Sequence, residues 1–225
     1  VIVPQGVNYY PVVSTGAQVA HSIQVQSGAS LSVNGGSLSG GDIALQGSLS
    51  IGSGGSLLMA NNKISGSGNV TLNGYLSTSN SDGFSGGTTT TLVNANGLSY
   101  TLGSASTIEY NGATSQTITA TNYANLKSSN TGDRILSTSG RIGISGVFTP
   151  GSNVYTVDNS TVEFNGTQAQ SLPSPAVASG ANYNNIIINN PAGVSLSDNT
   201  SLRDSLTLQQ GVFNTNPYNF LLTSD

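Results

Sequence analysis

The chain has no cysteine and no tryptophan, and only 6% of its 225 residues are charged. The lack of cysteine excludes disulfides and thiolate metal sites. The single histidine, His21, has no second histidine or cysteine to join it in a zinc site, so we predict no metal and no cofactor. The net charge is −4 and the five Lys and Arg residues are scattered, which argues against a nucleic-acid partner. No apolar run approaches the ~18 residues of a membrane span.

Glycine, serine, threonine and asparagine dominate, and short apolar-x-apolar triplets lie between the glycines. The triplets of the first half are Ile23–Val25, Leu31–Val33, Ile43–Leu45, Leu49–Ile51 and Val70–Leu72. Residues i and i+2 of a strand share a face, so each triplet sends two apolar side chains to one side. Such short segments bury a core only when they are stacked. Ile23 and Ile43 are 20 residues apart and Leu31 and Leu49 are 18 apart, which indicates the rung of a solenoid.

This pattern predicts an all-β fold, a right-handed parallel β-helix. Residues 1–16 contain Pro4 and Pro11 and lack the regular spacing of the apolar triplets, so we interpret them as a cap-like segment. Residues 17–104 form rungs of about 20 residues, and 105–225 hold two longer repeats that continue the solenoid. The stretch Ser79–Thr91 is either a linker or a loop of one continuous solenoid, and we favour the loop.

The longer repeats begin with nearly the same text. Ser106–Gly112 reads STIEYNG and Ser160–Gly166 reads STVEFNG, and Tyr123-Ala-Asn-Leu matches Tyr183-Asn-Asn-Ile further on. The repeats span 106–159 and 160–225, about three rungs each. The second contains Pro173–Ala181, which we expect to be an exposed loop. A more sandwich-like second half remains an alternative.

The texts STVEFNGTQAQSL and YNNIIINNPAGVSLSDNTSLRDSLTLQQGVFNT resemble repeats of secreted surface proteins of Bacteroidetes-type bacteria. The resemblance covers residues 105 to 225 well, and the first half matches only as generic β-helix sequence. It implies a large exported, adhesin-like or fibre-forming protein and cargo of the type IX secretion route. It specifies no ligand.

The only two glutamates, Glu109 and Glu163, occupy the same place in the two repeats. Alternation in TIEY and TVEF puts the apolar side chains inside, so both carboxylates should point outward to solvent. Three rungs would separate them by about 15 Å, farther than a glycosidase pair. We therefore expect an architectural role, with a calcium or glycan contact and catalysis as alternatives.

Other candidates are weaker. Asp133, Arg134 and Arg141 form the nearest approach to a charged cluster, which we interpret as a surface ion pair. Tyr9 and Tyr10 lie outside the cadence and are candidate glycan- or surface-contact residues, whereas Tyr110, Tyr123 and Tyr183 are assigned to the core because they recur with the repeat or align with apolar positions. Asp204-Ser205-Leu206 resembles the O-glycosylation signal of the same bacterial group, so Ser205 is a candidate for modification.

The sequence therefore predicts a non-enzymatic structural or adhesive segment of a secreted cell-surface or extracellular fibre protein. The expected partners are neighbouring copies of itself or the rest of a longer chain, together with surface glycans. A carbohydrate-binding module or polysaccharide-active enzyme on the same scaffold is the first alternative. Ice binding, suggested by the threonine runs at Thr88–Thr91 and Thr117–Thr121, is the second.

Overall fold

The computed structural model describes residues 1–223, so Ser224 and Asp225 of the predicted second repeat lie outside the described residues. Every strand pair between Ile2 and Leu222 for which a register is given is parallel, and the one helical segment is a 3₁₀ turn at Asn94–Asn96. Within that range no helix is long and apolar enough to cross a membrane. The chain divides into two units, Val1–Gly112 and Ala113–Asp225.

Unit 1 is a stack of coils in which each coil gives one strand to each of three parallel sheets. The first sheet is β1 (Ile2–Val3), β4 (Ile23–Val25), β7 (Ile43–Leu45) and β10 (Ile64–Gly66). The second is β2 (Val12–Val13), β5 (Ser30–Val33), β8 (Ser48–Ile51), β11 (Asn69–Leu72) and β13 (Ser99–Leu102). The third contains β3 (Ala17–Ala20), β6 (Ser37–Gly40), β9 (Ser56–Leu58), β12 (Tyr75–Thr78) and β14 (Thr107–Tyr110).

The interior of unit 1 consists of aliphatic stacks along these sheets. Ile23 pairs with Ile43, and Leu31 pairs with Leu49, so the predicted spacings of 20 and 18 residues are confirmed as the coil repeat. These four side chains are at most 5% exposed. Identical side chains of adjacent coils thus pack on one another in the interior, and the hydrophobic effect stabilises each coil against its neighbours.

The stretch Ser79–Thr91 leaves and re-enters unit 1, because the chain returns at Leu92 to bridge Ile64. Phe84 in this excursion is fully buried and packs edge-on against Tyr100, with ring centroids 5.3 Å apart. At its base the Thr78 and Thr91 hydroxyls are hydrogen-bonded at 2.5 Å. It is therefore an anchored loop of one coil and does not link the two units.

Unit 2 has the same kind of coil with different strand lengths. Its first sheet is β15 (Gln116–Ile118), β18 (Arg134–Leu136), β21 (Val154–Thr156) and β24 (Ala176–Val177). Its second is β16 (Asn122–Tyr123), β19 (Ile142–Ile144), β22 (Thr161–Phe164), β25 (Tyr183–Asn189), β27 (Thr200–Gln210) and β29 (Phe220–Leu222). The remaining strands are β17 (Asn125–Ser128) paired with β20 (Phe148–Thr149), and β23 (Gln170–Leu172) paired with β26 (Val194–Leu196) and β28 (Phe213–Asn214).

The parallel β-solenoid is thus confirmed, and a sandwich-like second half is wrong, since unit 2 consists of parallel coils. Pro173–Ala181 is not simply an exposed loop, because Ala176 and Val177 form β24 and pair with β21. The insertion supplies the first strand of a coil, and Ala181 at its end is 1% exposed. The boundaries predicted at 16 and 104 stay predictions, while the structure divides the chain at Gly112.

Candidate functional site

Glu163 does not point freely into solvent as expected, since the residue is only 7% exposed. Its strand β22 pairs on one side with β19 and on the other with β25. Arg141, just before β19, places Nη1 3.3 Å from Glu163 Oε2, and Asn189 at the end of β25 donates to Oε1 at 2.9 Å. Neighbouring coils therefore cover and hold this carboxylate, which makes it a connection between three coils.

Glu109 is also covered, at 5% exposure, so the prediction that both carboxylates are exposed to solvent is wrong, although each lies on the outer side of its strand. It lies in β14 and pairs with Ser77 of β12, itself 3% exposed. Alternation along β14 nevertheless holds, because Ile108 and Tyr110 on either side are fully buried. The low exposure of Glu109 cannot be inferred from the alternation of its own strand.

Arg134 is not part of a surface ion pair, because it is completely buried in unit 2. Its guanidinium donates to the carbonyl oxygens of Gly132 at 2.6 Å and of Ser129 at 2.5 Å. Asn153, one coil on, donates to the same two carbonyls. Together Arg134 and Asn153 satisfy the backbone of the turn between β17 and β18, where polar groups would otherwise be buried without partners.

The tyrosines separate into core and surface groups. Tyr110, Tyr123 and Tyr183 are fully buried, which confirms their assignment to the core. Burial raises the pKa of the Tyr183 phenol well above its ordinary value, and Tyr155 nearby raises it further. Tyr9 is 91% exposed and remains a contact candidate.

Tyr10 is half-buried, and its hydroxyl donates to Gly28 O at 2.9 Å. This bond attaches the segment that carries Tyr9 and Tyr10 to the second coil of unit 1.

The second sheet of unit 1 presents an uncharged outer side, which we call the serine face. Pairing aligns its outward residues in two rows, each continued by one residue per coil. The rows are Ser30–Ser48–Asn69–Ser99 and Ser32–Ser50–Thr71–Thr101. The rows offer hydroxyl and amide groups at the regular spacing of the coils and carry no charge.

A shallow groove of about 370 Å³ runs beside the serine face. Its wall consists of small residues from successive coils, namely Gly28, Ala29, Ser30, Gln46, Gly47, Ser48, Ser67, Gly68, Asn69 and Ser99. Gly28 is also the acceptor for Tyr10, so this one of the two predicted contact residues reaches the wall of the groove. None of the wall residues titrates, so the groove can form hydrogen bonds but supplies no group for proton transfer.

Two further candidates have defined positions. Ser205 is exposed on β27 and its hydroxyl donates to Asn185 Oδ1 at 2.6 Å, and its modification stays a prediction. In the run Thr88–Thr91, Thr90 and Thr91 are buried at 2% and 0% exposure. This run therefore cannot present its four side chains to one surface, as a flat ice-binding ladder would require.

Sequence reasoning missed a polar cleft of about 440 Å³ in unit 2, which we call the Asn184 cleft. It is lined by Asp158, Asn159, Asn184, Arg203 and Asp204. Asp158 and Asn159 follow β21, Asn184 lies in β25, and Arg203 and Asp204 lie in β27. Residues far apart in sequence thus meet because each comes from the next coil.

An irregularity in β27 shapes the Asn184 cleft. Tyr183 pairs with Leu202 but Asn185 pairs with Ser205, so Asn184 opposes both Arg203 and Asp204. Such a bulge re-aims the side chains at it.

Arg203 forms an ion pair with Asp158 at the rim of the Asn184 cleft. The Arg203 guanidinium also lies close to Gly180, where a Cβ atom would come within 2.5 Å of Nη2. The absence of a side chain at Gly180 therefore leaves room for the guanidinium.

Among residues 1–223, no group of three or more His, Cys, Asp or Glu side chains could hold a metal ion. Comparisons of the chain with protein-family models, with curated proteins and with solved structures found no match. The candidate sites are therefore judged on their geometry alone.

Proposed function

We propose that the chain is a non-enzymatic structural and adhesive segment of a secreted bacterial surface protein, as the resemblance to Bacteroidetes-type repeats implies. The serine face is the observation that carries the proposal. Its two uncharged rows lie over an interior of aliphatic stacks, so the same coils provide a stiff support and a repeated hydrogen-bonding surface. The adjoining groove and the exposed ring of Tyr9 extend this surface.

The mechanism is contact through many weak, equivalent groups. Each hydroxyl or amide contributes little alone, because it exchanges a hydrogen bond to water for one to the partner. A row that continues from coil to coil can engage a polymer at several points together, and linked contacts raise the overall affinity. Surface glycans are the partner that this uncharged, hydroxyl-rich surface suits best.

An experiment that introduces charge tests the contact surface. Ser50 and Thr71 are paired on adjacent coils of the serine face, and the double variant Ser50→Glu/Thr71→Glu puts two charges there. Gln24 and Ala44 are paired in the same way on another sheet and are both exposed, so Gln24→Glu/Ala44→Glu is the matched control.

The purified proteins are added back to the cells that make this protein, and the bound fraction is measured by flow cytometry. We expect the wild type and the control to bind, and we expect the bound fraction of the serine-face variant to be several-fold lower. Equal binding by both variants would rule out the serine face as the contact surface. Immuno-electron microscopy tests the location, and label confined to the cytoplasm would contradict the proposal.

Self-association is the second part of the proposed role. Leu208 of β27 is an apolar residue that is 59% exposed, and Val212 shortly after it is 70% exposed. Exposed apolar side chains on and beside a strand favour association with a partner, and the alternating segments of a second copy offer apolar side chains of the same kind.

Sedimentation velocity over a range of concentrations tests this second part. We expect the wild type to form concentration-dependent oligomers and Leu208→Lys to remain monomeric. A wild type that is monomeric at every concentration would exclude assembly through Leu208.

A further inference from the structure

The side chain of Asn184 has no hydrogen-bond partner within the protein. The residue is only 5% exposed, and its amide makes no hydrogen bond to any other residue of the part described, 1–223. The amide is not sealed from solvent, so water in the cleft is its partner when no ligand is bound. Because Asn184 lies on the wall of an open cleft, a group that enters the cleft can supply that partner.

The matching text of the first repeat has an alanine in place of Asn184. That text is Tyr123-Ala124-Asn125, and Ala124 is buried at 5% exposure while Tyr123 and Tyr183 are both fully buried. The match is one of sequence and not of stacking, because the strand register aligns Tyr123 with Ile144, Phe164 and Ile188 in successive coils. The second repeat therefore differs from the first by a polar amide on the wall of the cleft.

The other residues of the Asn184 cleft provide both donors and acceptors. Asp158 and Asp204 have carboxylate acceptors, Arg203 has guanidinium donors, and Asn159 and Asn184 have both. The bulge in β27 brings Arg203 and Asp204 together opposite Asn184. The volume of about 440 Å³ lies within the ~300–1,000 Å³ of small-molecule sites.

We propose that the Asn184 cleft binds one neutral sugar residue, with Asn184 hydrogen-bonded to a hydroxyl group of the sugar. Adjacent hydroxyls each donate and accept, which matches a mixed set of carboxylate, amide and guanidinium groups. A divalent cation prefers oxygen ligands alone, and the guanidinium of Arg203 opposes it. An anion meets two carboxylates against one guanidinium, so it is disfavoured too.

The five lining residues include no aromatic ring, so the sugar gains no stacking contact. We therefore expect weak binding, with a dissociation constant of about 1 mM. The Asn184 cleft lies in unit 2 and the serine face in unit 1, so the sugar site goes beyond the proposed contact surface and does not depend on it.

Nuclear magnetic resonance of the ¹⁵N-labelled chain tests the proposal. The protein is titrated separately with glucose, galactose, mannose and N-acetylglucosamine, and also with calcium chloride and sodium glucuronate. We expect at least one neutral sugar to shift the Asn184 side-chain amide and the backbone amides of Asp158 and Asp204 in a saturable way. Asn184→Ala should keep the fold, because the amide makes no hydrogen bond within residues 1–223 that the substitution would break, and should weaken binding about three- to tenfold.

Asp133→Asn is the control, because Asp133 is an exposed aspartate of the same unit that does not line the Asn184 cleft, and we expect unchanged sugar binding. Should Asn184→Ala fail to fold, Asp204→Asn at the exposed rim serves as the second variant, with the same expected loss. The proposal is overturned if no neutral sugar gives saturable shifts, if calcium or glucuronate alone does, or if the cleft variants bind as well as the wild type. None of these results bears on the serine-face experiment, so the two can fail separately.

Discussion

Replacement of Leu49 by alanine tests whether stacked aliphatic rows stabilise this chain. Leu49 is fully buried in β8, with Leu31 of β5 on one side and Val70 of β11 on the other. Truncation removes three carbon groups, or about 2.4 kcal/mol at ~0.8 kcal/mol each. Because two coils hold the neighbours in place, the cavity collapses only in part, and we expect a total loss of about 3–4 kcal/mol in the free energy of unfolding.

Ser50 is the matched control, since it is the next residue in the same strand and points outward. Ser50→Ala should change the free energy of unfolding by no more than about 0.5 kcal/mol. Urea unfolding followed by circular dichroism gives both values, and hydrogen exchange shows where protection is lost. In a solenoid each coil contacts only its neighbours, so Leu49→Ala should lower protection mainly in β5, β8 and β11.

Similar losses for Leu49→Ala and Ser50→Ala would refute the reasoning. So would a loss below about 1 kcal/mol for Leu49→Ala, since a buried, cavity-forming truncation costs more than this.

Three further perturbations have definite expected results. Because the raised pKa of Tyr183 keeps its phenol protonated in the folded state, this residue contributes stability that is complete below about pH 10 and is lost as pH rises through the folded pKa. Tyr183→Phe should lower the free energy of unfolding at pH 7 by about 1 kcal/mol, because the hydrogen bond to Pro173 O is lost. The same variant should show a smaller decrease in the free energy of unfolding at alkaline pH, which urea unfolding at each pH measures. Gly40→Ala should clearly lower the midpoint of thermal unfolding, because a Cβ atom would lie 1.7 Å from Ala20 O at a φ of +134°. Gly6→Ala is the control, since its Cβ atom meets no atom within 4 Å, and it should lower the midpoint less. Arg134→Met removes the charged donor from Gly132 O and Ser129 O, which Asn153 then holds alone, and should cost about 1.5–3 kcal/mol in urea unfolding, and a loss below about 1 kcal/mol would contradict this account.

The coil and its interior could be predicted from sequence because they depend on local alternation. A triplet such as Leu49-Ser50-Ile51 defines its inner and outer side chains without reference to any other part of the chain. The 18- to 20-residue spacing then follows from the positions of successive triplets. The same reasoning correctly assigned Tyr110, Tyr123 and Tyr183 to the core.

The covering of an outer side chain could not be predicted in this way. Glu163 is on the outer side of β22, as alternation requires, yet Arg141 and Asn189 from the neighbouring coils cover it. Coverage depends on side chains 22 residues before and 26 residues after Glu163, and local alternation around the glutamate does not reveal either of them. The Asn184 cleft was missed for the same reason, although one signal was present, since Asn184 replaces Ala124 between otherwise matching segments.

The two repeats also show why a shared sequence does not imply a shared site. β14 and β22 carry the matching STIEYNG and STVEFNG texts and are eight strands apart in chain order. A coil contains three strands, and eight is not a multiple of three, so the duplicated strand does not return to the same position in its coil. Glu109 therefore pairs with Ser77, whereas Glu163 pairs with Gly143 and Ile187. The repeat preserves a strand and its turn, while each site depends on stacked neighbours that differ between the copies. It follows that a ligand site in this fold should be sought where the repeats differ, and Asn184 is such a position.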